Sequence, residues 1–296
     1  MNVEISHWPA DTSASILETT VGSVLRDAAE AAPDCTAIIS YGHDLGMRRT
    51  WTFAELLRDA ERTARALLRH FEPGEHVAVW ANNVPEWLLL EFGAGLAKLV
   101  LVTVNPAYRA REVEYVLRQS RSVGLFHVRS FRGNPISETV AQVRSELPKL
   151  RDTIEIECWE EFLASGSEDT LLPDVSPGDP AQIQYTSGTT GFPKGALLLH
   201  RGITNNARLV FQRYGVRQPN AYAHGMPFFH TAGCVLATLG PLQGHVPQVF
   251  AEAFDPALML AIIERERATH LGAVPTMLIA MLQHESLSTT DLPNDL

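Results

Sequence analysis

Residues 185–195 read Y-T-S-G-T-T-G-F-P-K-G. The glycines Gly188, Gly191 and Gly195 permit backbone conformations that other residues avoid. Turns of that kind aim several N–H groups into one concavity, which suits an anion. Thr186, Ser187, Thr189 and Thr190 add hydroxyls, and Lys194 adds a mobile point charge fitted to phosphate. Pro193 restricts the turn before the lysine. A hydrogen bond to a charged group contributes about 1.5–3 kcal/mol. Residues of these types at this spacing are suited to capturing a polyphosphate. The segment is not a Walker A loop, because Gly195 rather than Ser or Thr follows Lys194. That weakens the case for a P-loop nucleotide hydrolase or kinase. The blander alternative is a Ser/Gly linker, but linkers rarely set Pro and Lys between two apolar runs.

The charge around this segment is uneven. The chain carries a formal charge of -10, which argues against a nucleic-acid partner. Residues 181–251 nevertheless contain no Asp or Glu, while carrying Lys194, Arg201, Arg208, Arg213 and Arg217. Such a stretch suits an anionic small ligand, or is simply a solvated basic helix face. Cys35, Cys158 and Cys234 form no metal motif, and so sparse a set fits reduced thiols in the cytoplasm. No signal peptide is legible at the start. The most apolar stretch, 87–104, contains Glu91 and Lys98 and reads as a buried helix entering a buried strand, so no membrane span is expected.

The elements that must position the loop alternate. Helices are expected at 21–32, 52–71, from 85, at 109–119 and at 138–147; strands at 36–41, 48–51, 76–81, 99–104 and 124–128. Thr52 and Glu55 have the spacing of a capping box. Residues 165–180 read as an acidic, turn-rich linker. Strands follow at 181–185, 195–199, 221–226 and 246–250, with helices from 201, at 256–265 and at 276–284. This alternation predicts an α/β fold of layered, mainly parallel sheets with flanking helices. We expect a first α/β subdomain over 1–175 and a second, incomplete one over 176–296 that carries the loop. Such a chain, expressed alone, would expose apolar surface and a strand edge.

The loop also resembles the phosphate-binding signature of the adenylate-forming, or AMP-binding, superfamily. The likeness extends to T-F-A-E-L at 52–56, VAVWANNVPEW at 77–87, VTVNPAY at 102–108, MPFFHT at 226–231 and VPT at 274–276. It covers nearly the whole chain and is most marked toward bacterial fatty-acyl-CoA synthetases. The resemblance implies ATP-dependent activation of a carboxylic acid to an acyl-adenylate, then transfer to coenzyme A. It implies that Thr186, Ser187, Gly188, Thr189, Thr190, Gly191 and Lys194 hold the ATP phosphates. Thr186 would also touch Mg2+. His230 would sit by the acyl and adenylate pocket, orienting the carboxylate or gating the thiol; its setting after two Phe residues equally fits a packed core histidine. Phe229, Gly233, Cys234 and Pro275 become wall residues on that view, although core packing explains them as well. His200 and Arg201 read as helix-capping or solvent-facing residues. Family members continue into adenine-, magnesium- and ribose-binding elements and a lid domain bearing a catalytic lysine, and none of these falls within 1–296. The alternative is therefore a catalytically inactive remnant or a nucleotide- or acyl-binding module.

Overall fold

The computed structural model describes residue 9, residues 12–186 and residues 193–293. Helix α1 (Val21–Ala31) starts where the Thr20 hydroxyl accepts the Ser23 N–H at 3.0 Å. It buries Val21, Val24, Leu25 and Ala28, the face set by its apolar spacing. Strands β1 (Thr36–Tyr41) and β2 (Arg48–Thr52) pair antiparallel. The capping box forms as its spacing predicts: Thr52 Oγ1 accepts from Glu55 N at 3.2 Å, and Glu55 Oε2 accepts from Thr52 N at 2.9 Å. It opens α2 (Phe53–His70). Then come β3 (His76–Trp80) and α3 (Pro85–Leu96), with Pro85 in the first turn, where its missing N–H costs nothing. Every residue of α3 is buried, and β4 (Val100–Val104) follows it into the core. The apolar stretch 87–104 is thus a helix and a strand. No described helix is long and apolar enough to cross a membrane.

Helix α4 (Ala110–Ser120), strand β5 (Gly124–His127) and helix α5 (Ile136–Val143) continue the alternation. The next two elements were not foreseen. Strand β6 (Asp152–Glu155) is a four-residue edge strand with no apolar run, and α6 (Trp159–Ala164) spans under two turns. Neither is long enough to show a period. Residues 165–179 form no helix or strand, as the linker reading expects. Strands β7 (Pro180–Thr186) and β8 (Lys194–Leu199) flank the loop, and α7 (His200–Tyr214) follows. After β9 (Tyr222–His224) comes an unforeseen π-helix, Ala232–Leu239, running into α8 (Gly240–Gln243). Strand β10 (Gln248–Ala251), helix α9 (Pro256–Glu266), the short unforeseen β11 (His270–Gly272) and α10 (Pro275–Leu282) follow, and a 3-10 turn at Glu285–Thr289 comes after them.

The strands form two sheets, ordered β11-β9-β10-β1-β2 and β6-β5-β3-β4-β7-β8. All pairings are parallel except β1 with β2 and β7 with β8, so each sheet ends in one antiparallel edge strand. This is the layered α/β architecture that the alternation implies. The sheets are interleaved in sequence: β1 and β2 join β9–β11, whereas β7 and β8 join β3–β6. Strands from both sides of position 175 therefore share each sheet.

Edge strand β8 leaves Leu197 54% exposed, and on α10 Leu282 is 68% exposed beside the exposed Leu278 and Ile279. Open strand edges and contiguous apolar faces drive association. The chain should self-associate at micromolar concentration by light scattering. The double substitution Leu197→Lys and Leu282→Lys should suppress that association while leaving far-UV circular dichroism unchanged. Undiminished scattering would show that these faces do not drive it.

Candidate active site

In open α/β sheets ligands sit beyond the carboxyl ends of the strands. Here two sheets bring such ends together. Asn82 and Asn83 follow β3, Asn105 follows β4, residues 226–230 follow β9, and Glu252 follows β10. The buried Asn83 amide accepts from Phe228 N and donates to Met226 O, both at 2.9 Å. Asn83 N and Asn82 Nδ2 both donate to the Glu252 carbonyl, at 3.2 and 3.3 Å. These bonds clamp the end of one sheet to the ends of the other.

Strand β7 runs parallel to β4, so its carboxyl end at Thr186 lies on the same side. Thr186 pairs with Lys194 across the antiparallel ladder, so the two residues flanking the loop are held together. Ser187, Gly188, Thr189, Thr190 and Gly191 lie outside the described residues. Thr186 and Lys194 are exposed, and Lys194 has no ion pair among the described residues. Helix α4 backs the loop. Tyr115 donates to the Pro193 carbonyl at 3.1 Å, and Tyr185 donates to Gln119 Oε1 at 2.6 Å. Burial pushes the Tyr185 phenol up to about 12, so it stays a neutral donor. The other basic residues of this stretch are partly spent on structure. Arg201 pairs with Glu18 at 2.9 Å, and Arg208 donates to the Ser15 carbonyl and to Asn205. They tie down the segment before α1, while Lys194 remains at the loop.

His230 is exposed at the entrance to the π-helix. Its Nδ1 accepts from Ala232 N at 3.1 Å, which leaves the proton on Nε2. Gly233 is required there, because a Cβ would lie 2.1 Å from the Pro227 carbonyl oxygen. Cavities flank this turn on both sides. One of about 350 Å³ is lined by Met226, Ala232, Leu236, Tyr222 and Leu271. One of about 260 Å³ is lined by Pro227, Phe229, Asn83, Asn105, Arg132 and Glu252. Of the expected wall residues, Phe229 lines a cavity, Gly233 packs on backbone, and Cys234 is fully buried against Gln184. Pro275 opens α10. His200 neither caps its helix nor faces solvent: it is buried, and its Nδ1 accepts the Val21 N–H at 3.2 Å.

Several residues of the site carried no role in the sequence reading. Asn82, Asn83 and Asn105 lie in motifs that were noticed, but only the assembled sheets show what their amides bind. Arg132 has a positive φ of 46°, and its guanidinium lies 5.4 Å from the Phe131 ring centre at the cavity wall. Glu252 is raised above the usual carboxylate range by burial and then by the nearby Glu86 charge. No periodicity marks an isolated Arg or Glu of this kind.

The fold defines an α/β protein whose candidate site lies at the joined carboxyl ends of two parallel sheets. Within that class the chain belongs to the AMP-binding enzyme family, which matches residues 25–296. It is 33% identical over 307 residues to "Putative acyl-CoA synthetase YngI" of Bacillus subtilis (strain 168), covering 94% of this chain and 55% of that protein. It superposes with a TM-score of 0.84 on a long-chain-fatty-acid-CoA ligase (FadD1) from Archaeoglobus fulgidus, at 24% identity over 97% of this chain and 57% of that one. For ATP-bound MatB from Rhodopseudomonas palustris the TM-score is 0.78 and the identity 25%, over 92% of this chain and 52% of that one. The chain spans about half the length of the curated relatives it matches.

Two core histidines set a pH dependence. Burial lowers His200 to about 4 and His224 to about 3, from 6.5. The folded chain holds both neutral, whereas the unfolded chain protonates them below 6.5. Their contribution to stability is complete above that pH and is lost as pH falls toward 4. The buried His127, also lowered by desolvation, adds to this, while the Glu91 and Glu252 carboxyls, raised by desolvation, act in the opposite sense. The melting temperature should therefore fall between pH 7 and pH 5, and His224→Phe should flatten the fall. A pH-independent melting temperature across this window would mean that the fold tolerates these histidines charged.

Proposed function

We propose that this chain supplies the phosphate-holding and acid-binding part of an acid–CoA ligase. The reaction is ATP-dependent activation of a carboxylic acid, with fatty acids as the leading class, to an acyl-adenylate, followed by transfer to coenzyme A. The observation that carries this reading is the pairing of Thr186 with Lys194, which holds together the two ends of a segment whose residue types suit an anion. Membership of the AMP-binding family and the likeness to an ATP-bound neighbour support it.

The roles follow from the chemistry. An acid oxygen attacks the α-phosphorus and pyrophosphate leaves with the bonding electrons. That in-line displacement needs the departing group held and its charge offset. Ser187, Gly188, Thr189, Thr190 and Gly191 supply donors, and Lys194 supplies the charge. Thr186 would supply one hydroxyl to the magnesium of MgATP, whose charge would offset that of the phosphates. His230 presents Nε2–H, a donor suited to a carboxylate or acyl oxygen. The coenzyme A thiol then attacks the acyl carbonyl and AMP departs. Cavities on either side of the 226–230 turn offer one space for the acid's tail and another for the incoming thiol. Three free cysteines, with Cys158 exposed, fit a reducing cytoplasm.

The test is fatty-acid-dependent exchange of labelled pyrophosphate into ATP. Exchange should require the acid, and Lys194→Ala should lower it by about 10²-fold, as for loss of one charge-stabilising donor. Nucleotide binding without exchange would reassign the chain as a nucleotide-binding module. ATP hydrolysis that is indifferent to acid would overturn the ligase reading.

A further inference from the structure

Behind β7 lies a chain of buried polar side chains that the proposed chemistry does not use. Glu91 on α3 accepts from Gln182 Nε2 at 2.5 Å. Gln182 Oε1 accepts from Gln184 Nε2 at 3.1 Å. Gln184 Oε1 accepts from Thr103 Oγ1 on β4 at 3.2 Å, and Gln184 Nε2 lies 3.1 Å from Cys234 Sγ. All five residues are at most 5% exposed. Buried polar groups in such numbers carry a desolvation cost that apolar side chains would avoid.

The network joins the two halves of the candidate site. Gln182, Gln184 and Thr186 alternate onto one face of β7, so the row of amides leads to the first residue of the loop. The ladder between β4 and β7 ends at Val102 with Ile183. Beyond it, the Thr103–Gln184 side-chain bond links β4 to the end of β7. At the other end Cys234 lies one turn past His230, whose carbonyl accepts from Cys234 N at 3.1 Å. Glu91 Oε2 has no partner among the described residues, and desolvation raises the carboxyl well above its usual range. Glu91 is therefore a neutral acid, a fixed acceptor and not a charge.

We infer that Glu91 is a positioning residue: through Gln182 and Gln184 it sets where the end of β7 holds Thr186 relative to the His230 turn. The inference rests on the proposed function, which gives the loop its ligand.

The experiment compares melting temperature with calorimetric binding of ATP and of inorganic pyrophosphate, using the whole chain. Glu91→Gln keeps a neutral acceptor of the same shape and should bind both as the wild type does. The double variant Glu91→Met with Gln182→Met replaces the pair by apolar side chains. It should melt near the wild type while binding both ligands about tenfold more weakly, since small misplacements of a site are costly. Thr103→Val, which exchanges the hydroxyl for a methyl, should weaken binding by a smaller factor and lower the melting temperature slightly, because Gln184 Oε1 loses that partner. It serves as the test if the double variant does not fold. Wild-type affinity in every folded variant would overturn the inference. Lys194→Ala separates the two levels. If it weakens binding while the network variants do not, the positioning role fails and the phosphate loop stands. If the wild type binds neither ligand, both fall.

Discussion

The amide of Asn83 is the joint on which the rest of the site depends. A turn such as 226–228 cannot bury its backbone N–H and C=O groups unless each finds a partner. Asn83 supplies both, accepting from Phe228 N and donating to Met226 O, while its own N–H donates to Glu252 O. One asparagine at the end of β3 thereby holds the ends of β9 and β10. Without it the two sheets would still share one hydrophobic cluster, which holds Ile38 and Phe250 of one sheet with Val77 and Val102 of the other, but the 226–228 turn would lose the partners of its backbone groups. The cavities beside residues 226–229 depend on that turn being held.

The segment that follows shows how local irregularity is stabilised by its surroundings. A π-helix of eight residues is an unfavourable local choice, and such segments concentrate at functional sites. This one is held by close packing. Gly233 lies against the Pro227 carbonyl with no room for a Cβ, and Phe211 fills the space beside Gly240. Thr238 Oγ1 donates to the Gly233 carbonyl at 3.1 Å. The result turns the Ala232 and Leu236 side of the helix toward one cavity and fixes His230 at its entrance.

Electrostatics divide the basic stretch 181–251 more sharply than its composition suggests. Arg201 and Arg208 bind the segment before α1, so their charge is local and structural. Lys194 stays at the loop. The same division appears among the titratable core groups: His200, His224 and Glu91 are all held neutral by desolvation. The interior tolerates them as hydrogen-bonding or packing groups rather than as charges.

Much of this was legible in the sequence where a signal is local. The Thr52 and Glu55 capping box, Pro85 opening α3, the apolar face of α1 and the strand–loop–strand setting of the loop each arise from residues within one turn or one strand, and each appears as read. Strands β6 and β11, of four and three residues, were not legible, because a strand that short has no period and exists through its neighbour. The interleaving of the sheets, the burial of His200, the clamp at Asn83 and the contact of Cys234 with Gln184 join residues far apart in sequence. By itself the sequence determined the alternating α/β elements and the two strands that flank the loop, since both depend on neighbouring residue types. Only the tertiary structure decided which strand ends meet, which charges are paired and which histidines are buried, because those outcomes depend on packing between segments that are not neighbours in sequence.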